Sequence, residues 1–133
     1  MAPLAALLLG RPGAVYLFTS WIRSQEVATN ILAYGEVVEY TKGLPNVPLH
    51  VAGLHNLLVG GFPYFLTYRI MERNADLRRT LRPPHSPGLI GDIDELIAAT
   101  ALERRITLVT IDGDFLRVPD LQVMLLTRSQ LRH

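Results

Sequence analysis

Apolar and polar positions follow two different periods along the chain, which predicts helices that alternate with short strands. Apolar residues recur at helical spacing in five segments, at 14–25, 34–42, 49–59, 67–79 and 92–105. Short apolar or β-branched runs predict strands at 27–32, 62–66, 106–110 and 121–126. Strands that alternate with helices in this way indicate an α/β fold with a mainly parallel sheet.

The helix at 92–105 has the clearest pattern. Its apolar face consists of Ile93, Leu96, Ile97, Thr100 and Ala101. The charged residues Glu95, Glu103 and Arg104 lie off that face. We therefore predict that the apolar face is buried and that these charges lie outside it.

Two segments depart from the alternation. Residues 1–10 are almost entirely apolar, but the run is too short to span a membrane and lacks the basic residues that open a signal peptide. We therefore predict a buried helix there. Residues 81–88 contain three prolines and one glycine, which excludes regular structure and predicts a loop.

Composition and charge narrow the classes of function. The 133 residues suit one domain, and 13 basic against 12 acidic side chains leave a net charge of +1. A chain of this charge does not bind nucleic acid as a bulk polycation. The absence of cysteine excludes disulfides, thiolate zinc sites and cysteine nucleophiles, and it favours a reducing, cytoplasmic location.

Acidic residues occur where predicted strands end and predicted helices begin. They are Glu36 after the first strand, Asp92 and Asp94 at the start of the last helix, and Asp112 and Asp114 after the strand that follows it. Ligands of parallel sheets bind at the carboxyl ends of the strands. If these carboxylates converge, a divalent cation relieves their repulsion, and oxygen ligands select magnesium or manganese. Such a centre activates water for phosphodiester cleavage without a covalent nucleophile.

Each acidic position also has a purely structural interpretation. Asp92 fits the N-cap of the following helix, and Asp94 fits the first turn, where a carboxylate complements the helix dipole. Asp112 fits an ordinary turn in which its side chain accepts a backbone hydrogen bond. Glu36 fits an exposed position on a helix. Only the joint placement of the acids favours the metal site over these interpretations.

The segments around these acids resemble the PIN-domain ribonucleases, and most closely the VapC-type toxins of toxin–antitoxin pairs. The resemblance is carried by Ile90–Leu102 (IGDIDELIAATAL), Leu108–Phe115 (LVTIDGDF), Arg117–Leu121 and Ala28–Glu36. It spans residues 14–126 and implies a single PIN-like domain over residues 1–133. The implied fold is a three-layer α/β/α sandwich with a mainly parallel sheet flanked by helices.

The resemblance implies a metal-dependent endoribonuclease, usually dimeric, that a VapB-type antitoxin holds inactive. By position it implies that Glu36, Asp94 and Asp112 are the catalytic acids. These residues, together with Asp114, are then expected to bind Mg²⁺ or Mn²⁺. Thr110 is expected to support the site by orienting an acid through a hydrogen bond.

A phosphate substrate also needs cations. Arg78, Arg79 and Arg82 lie on the helix and loop before the acidic helix. Arginine binds phosphate in a bidentate manner, so we expect these residues to bind RNA. The alternative is a solvated helix face on which Glu72 and Asp76 pair with the arginines locally.

The chain departs from the family at its start. The family opens with a strand that ends in Asp-Thr-Asn or Asp-Thr-Ser, whose aspartate is the first acid, whereas no acid precedes Glu26 here. We therefore expect that the first strand and the first acid are missing from the sequence as given, either because Met1 is an internal methionine taken as the start or because the chain is a truncated product. An alternative function follows, a catalytically impaired PIN-fold module that keeps antitoxin or RNA binding.

A receiver-like domain also has an acidic pocket and a parallel sheet. It needs a phosphoacceptor aspartate at the end of a strand in mid-chain, and none lies between Glu36 and Glu72, so this class is disfavoured.

Overall fold

The computed structural model describes residues 5, 7–23, 29–59, 63–83 and 88–132. Within these ranges the helices are α1 (Pro12–Arg23), α2 (Ile31–Thr41), α3 (Val47–Val59), α4 (Tyr68–Leu81), α5 (Asp92–Arg104), the 3-10 helix Gly113–Arg117, and α6 (Arg128–Arg132). The strands are β1 (Thr29–Asn30), β2 (Pro63–Tyr64), β3 (Leu108–Thr110) and β4 (Val123–Leu125). The chain forms two compact units, which we call the first unit (Met1–Tyr64 with Leu126–His133) and the second unit (Phe65–Leu125).

In the first unit, α1 packs against α6. Ala14 and Phe18 lie about one turn apart on α1 and are both buried, which accounts for the helical spacing of its apolar residues. A Cβ on Gly13 would stand 2.0 Å from the carbonyl oxygen of Gln130. Only glycine therefore permits this close approach of α1 to the backbone of α6.

The strand pair of the first unit is parallel and short. Thr29 stands opposite Pro63, and Asn30 stands opposite Tyr64. The chain between the two strands contains α2 and α3, which provide the long crossover that a parallel pair requires. Proline fits at position 63 because a strand on the edge of a sheet does not need every backbone donor.

Two helix starts in the first unit differ from the prediction. Ile31 and Leu32 begin α2 instead of ending the strand predicted at 27–32. A short apolar run fits a buried strand and the first turn of a buried helix equally well, so its periodicity does not separate them. Helix α3 begins at Val47, before its predicted start, because Pro48 is tolerated in a first turn, where the missing N–H has no helical partner.

The second unit is built on the packing of α4 against α5. Thr67 is the N-cap of α4, and its Oγ1 accepts a hydrogen bond of 3.2 Å from the amide of Ile70. Ile70, Leu77 and Leu81 form the buried side of α4, and most of its other residues are exposed. The helix predicted at 67–79 is therefore confirmed, with one face buried and the other exposed.

The second unit also contains a parallel pair of strands. In this pair β3 lies beside β4, with the partners Leu108 and Val123, Val109 and Met124, and Thr110 and Leu125. The 3-10 helix forms part of the connection between them. Both strands are shorter than predicted, but parallel pairing beside helices is confirmed in each unit.

Some predictions fall partly outside the described residues. Ala5, Leu7 and Leu8 are helical and half-buried, so the N-terminal helix is confirmed at these positions and its burial is only partial. Residues 84–87 of the predicted loop, and 27–28 and 62 of two predicted strands, lie outside the described ranges. Within those ranges, no helix combines the length and the apolar character needed to cross a bilayer.

We expect Thr67→Ala to lower the free energy of unfolding by about 1 kcal/mol, because it removes the N-cap hydrogen bond of α4. Thr80→Ala is the matched control. Thr80 is exposed, and its hydroxyl donates only to the carbonyl of Asp76 one turn back, so the expected change is within about 0.5 kcal/mol. Urea unfolding followed by circular dichroism measures both. Equal losses in the two variants would contradict the assigned cap.

Candidate functional site

Asp94 lies in the first turn of α5 and is half-buried. Gly91 precedes this helix with a φ of 116°, a conformation that residues with a Cβ rarely adopt. A Cβ on Gly91 would stand 3.7 Å from Oδ2 of Asp94. Because glycine has no Cβ, residue 91 places no side chain beside this carboxylate. The amide of Glu95 donates to the carbonyl of Gly91 at 2.9 Å and closes the turn.

Asp112 and Asp114 lie in the turn that joins β3 to the 3-10 helix. Oδ1 of Asp112 accepts a hydrogen bond of 2.9 Å from the amide of Asp114, so this carboxylate caps the 3-10 helix. The amide of Asp112 donates to Oγ1 of the buried Thr110 at 3.1 Å. Thr110 therefore holds Asp112 through its backbone and not through its carboxylate. The turn interpretation of Asp112 is correct for Oδ1.

The charges of Asp112 and Asp114 act on Asp94. Burial raises the pKa of Asp94, and the charges of Asp112 and Asp114 raise it further. The two turns therefore bring three carboxylates into one region of the second unit, where the ionised form of Asp94 is disfavoured. A divalent cation would remove this penalty, so the donor set fits magnesium or manganese in charge and in atom type.

Glu36 lies on α2 of the first unit. It is half-buried, with Oε1 shielded from solvent, so the interpretation as an exposed helix residue is wrong. Across the described part of the chain, no three Asp, Glu or His side chains stand close enough to enclose a metal ion. Asp94, Asp112 and Asp114 thus all belong to the second unit, where the charges of the last two act on Asp94. Glu36 lies on α2, which belongs to the first unit.

Glu95 is the charged residue that the sequence pattern misplaces. It is predicted off the buried face of α5, yet it is 0% exposed, whereas Ile93 is 45% exposed. Ala98 and Ala99 lie three and four residues further on and are both fully buried. This spacing is the signal that could have placed Glu95 on the buried side of the helix.

Arg78 of α4 joins two acids of α5. Its Nη1 donates to Oδ1 of Asp92 at 2.6 Å and to Oε2 of Glu95 at 3.3 Å. The hydrogen bond to Asp92 raises the pKa of Arg78 most, and the charges of Glu95 and Asp92 add to it, so the guanidinium remains a cation. Gly91 is the N-cap of α5 and Asp92 is its first helical residue, so the prediction of Asp92 as N-cap is wrong.

The remaining arginines of this region either pair with α5 or face solvent. Arg69 and Arg73 approach the carboxylate of Glu103 at 3.9 and 3.8 Å. In the part of the chain that the structure describes, the ion pairs of α4 therefore run to α5 and not to the acids of α4 itself. Arg79 and Arg82 are exposed.

Arg117 links the two acidic turns. It ends the 3-10 helix that follows Asp112, and its Nη2 donates to the carbonyl oxygen of Gly88. Gly88 belongs to the segment that leads into α5. Phe115, which is buried, anchors the same 3-10 helix from its apolar side. The turn of Asp112 and Asp114 is thus connected to the segment that precedes Asp94.

Comparison with known proteins identifies the family of the chain. The sequence profile of the PIN domain matches residues 4–121, and the chain belongs to this family. The crystal structure of VapBC2 from Rickettsia felis bound to a DNA fragment from their promoter contains a chain of the same fold. The TM-score is 0.80, with 18% sequence identity and 93% coverage of each chain. No curated protein sequence matches significantly. The α/β/α sandwich class implied by the resemblance is therefore confirmed.

We expect Asp94→Asn to melt at a higher temperature than the unchanged protein at neutral pH in the presence of a chelator. Because the pKa of Asp94 is raised on folding, the folded protein retains this proton at pH values where the unfolded chain has released it. Stability therefore falls as the pH rises above the unfolded pKa of about 3.9, and the asparagine removes that loss.

The advantage of the asparagine variant should disappear below about pH 4, where Asp94 is protonated in both states. Asp76→Asn, which removes a charge at an exposed position of α4, is the control and should show no such dependence on pH. Calorimetric melting curves over a pH series test both. The electrostatic description of the site is wrong if Asp94→Asn is less stable than the unchanged protein at neutral pH.

Proposed function

We propose that this chain is a VapC-type endoribonuclease that hydrolyses phosphodiester bonds of RNA with a bound Mg²⁺ or Mn²⁺. The observation that carries the proposal is membership of the PIN-domain family, whose profile matches residues 4–121. The placement of Asp94, Asp112 and Asp114 in two turns of the second unit supports it, because burial and the charges of the other two aspartates raise the pKa of Asp94.

The proposed ligands are Asp94, Asp112 and Asp114, with Glu36 as a further catalytic acid from α2. When bound, the divalent ion polarises the phosphoryl oxygen and lowers the pKa of a bound water. Asp112 is held in one orientation by the turn hydrogen bond of its Oδ1, so it enters the site already ordered. Thr110 supports the site by fixing the backbone amide of Asp112.

Phosphate binding is assigned to the exposed arginines at the end of α4. Arg79 and Arg82 have side chains that face solvent and can approach a phosphate in a bidentate manner. The sequence pattern groups Arg78 with them, but its Nη1 already donates to Asp92 and Glu95. We therefore restrict the proposed RNA contacts to Arg79 and Arg82.

The proposed partners are a VapB-type antitoxin and a second copy of this chain. The fold shared with a chain of the Rickettsia felis VapBC2 structure supports the antitoxin. The absence of cysteine and an RNA substrate both favour action in the cytoplasm.

We expect the chain to cleave members of an RNA panel in the presence of Mg²⁺ or Mn²⁺. Asp94→Asn and Asp112→Asn should each lower the rate by about 100-fold or more, since loss of a metal ligand removes several kcal/mol of transition-state stabilisation. Asp76→Asn is the matched control and should leave the rate unchanged. Gel analysis of end-labelled RNA gives the rates. Cleavage that survives both site variants would show that the activity has another origin.

A second function remains a candidate because, among the described residues, no three Asp, Glu or His side chains stand close enough to enclose a metal ion. A PIN-fold module that holds no metal ion would bind antitoxin or RNA and cleave nothing. Calorimetric titration with Mn²⁺ separates the two functions. Binding of Mn²⁺ that depends on Asp94 and Asp112 counts against the inert module, and cleavage excludes it.

We expect Arg79→Gln and Arg82→Gln to weaken RNA binding and to flatten its salt dependence. Each phosphate contact that is lost should reduce the slope of log affinity against log salt by about 0.7 for single-stranded RNA. Fluorescence anisotropy in an Asp94→Asn background measures binding without cleavage. Arg128→Gln, at an exposed position on α6, is the control and should leave the slope unchanged. If all three variants behave alike, the arginines of α4 do not form the RNA surface.

A further inference from the structure

One buried carboxylate lies next to the proposed metal ligands without belonging to them. Glu95 is 0% exposed, and its Oε2 accepts a hydrogen bond from Arg78. Among the described residues, no hydrogen-bond partner contacts its other oxygen, Oε1. A carboxylate in such surroundings is retained only if a cation compensates it, and Arg78 is that cation.

Arg78 also binds the exposed carboxylate of Asp92. It therefore contacts Asp92, two residues before Asp94, and Glu95, the residue directly after Asp94. The N-cap of α5 cannot provide this restraint, because Gly91 has no side chain to hydrogen-bond the first turn. The first turn of α5 is thus held by the backbone hydrogen bond from the amide of Glu95 to the carbonyl of Gly91 and, in addition, by the contact with Arg78 of α4.

The geometry of the helix determines on which side of α5 Asp94 lies relative to Arg78. Successive residues are rotated by about 100°, so positions 92 and 95 lie within about 60° of each other, on the side of α5 that faces Arg78. Position 94 is rotated by about 100° from position 95 and by about 160° from position 92. Holding Asp92 and Glu95 against α4 therefore turns Asp94 away from α4.

We propose that Arg78 is a positioning residue for Asp94, acting through Glu95 and Asp92, and that it is not an RNA ligand. The proposal rests on the proposed function in one respect, since it assumes that Asp94 binds the divalent ion. The restraint itself, in which Arg78 orders the first turn of α5, stands on the contacts alone.

The first experiment measures Mn²⁺ binding by calorimetry without RNA. Arg78→Gln should weaken the affinity by about 10-fold or more, as expected when a residue that orients a metal ligand is lost. Arg78→Lys should stay within about threefold of the unchanged protein, because the single nitrogen Nη1 contacts both carboxylates and an ammonium group offers three donors in its place. Glu103→Gln breaks the ion pairs at the other end of the same helix pair and should change the affinity by less than about twofold.

Arg78→Gln leaves Glu95 buried without its cation and can fail to fold. The double variant Arg78→Gln/Glu95→Gln removes both charges and lets two amides hydrogen-bond to each other, so it should fold while still binding Mn²⁺ weakly. If the folded double variant binds Mn²⁺ as tightly as the unchanged protein, or if Glu103→Gln weakens binding equally, the proposal is overturned.

Two further measurements separate this proposal from the proposed function. RNA affinity in the Asp94→Asn background should be unchanged by Arg78→Gln/Glu95→Gln, whereas a loss equal to that of Arg79→Gln would make Arg78 an RNA ligand. Hydrogen exchange of the backbone amide at position 95, corrected for the intrinsic rate of the residue there, should accelerate by about 10-fold or more in the double variant and not in Glu103→Gln. If the unchanged protein binds no Mn²⁺, the metal-dependent function fails, and the exchange rate still decides whether Arg78 orders the turn.

Discussion

A carboxylate that is removed from water must be compensated, and this requirement governs the arrangement of the second unit. Glu95 is fully enclosed between the helices, and Arg78 of α4 supplies the opposite charge. The same guanidinium holds Asp92 at the start of α5. This one side chain therefore joins α4 to the first turn of α5, the turn that contains Asp94.

Asp94, which lies outside this ion pair, shows the opposite behaviour. Asp94 lies near Asp112 and Asp114, and the folded protein disfavours its charge. The charge of Asp94 is therefore expected to lower the stability of the metal-free protein at neutral pH, as it would at a binding site and not in a structural core. Asp112 combines both roles, because its Oδ1 stabilises the turn while its charge contributes to the repulsion.

Membership of the PIN-domain family gives the general class of chemistry, but the contacts of individual side chains assign their roles. Arg78 and Arg79 are neighbours with the same charge, and a sequence pattern treats them alike. In the structure the first is held by two carboxylates and the second is exposed. Thr110 likewise has the expected hydrogen bond, but to a backbone amide and not to an acid side chain.

The sequence by itself determined the type and order of α4, α5, β3 and β4 in the second unit and placed Asp94 at the start of α5 and Asp112 after β3. These features depend on local signals, namely the helical spacing at 92–105 and the short apolar run at 106–110. The tertiary structure alone decided that Glu95 is buried and that Arg78 is its partner. The two residues are 17 positions apart on different helices, so no period within either helix encodes their contact. It arises only when α4 and α5 face each other and a charge enclosed between them must be compensated.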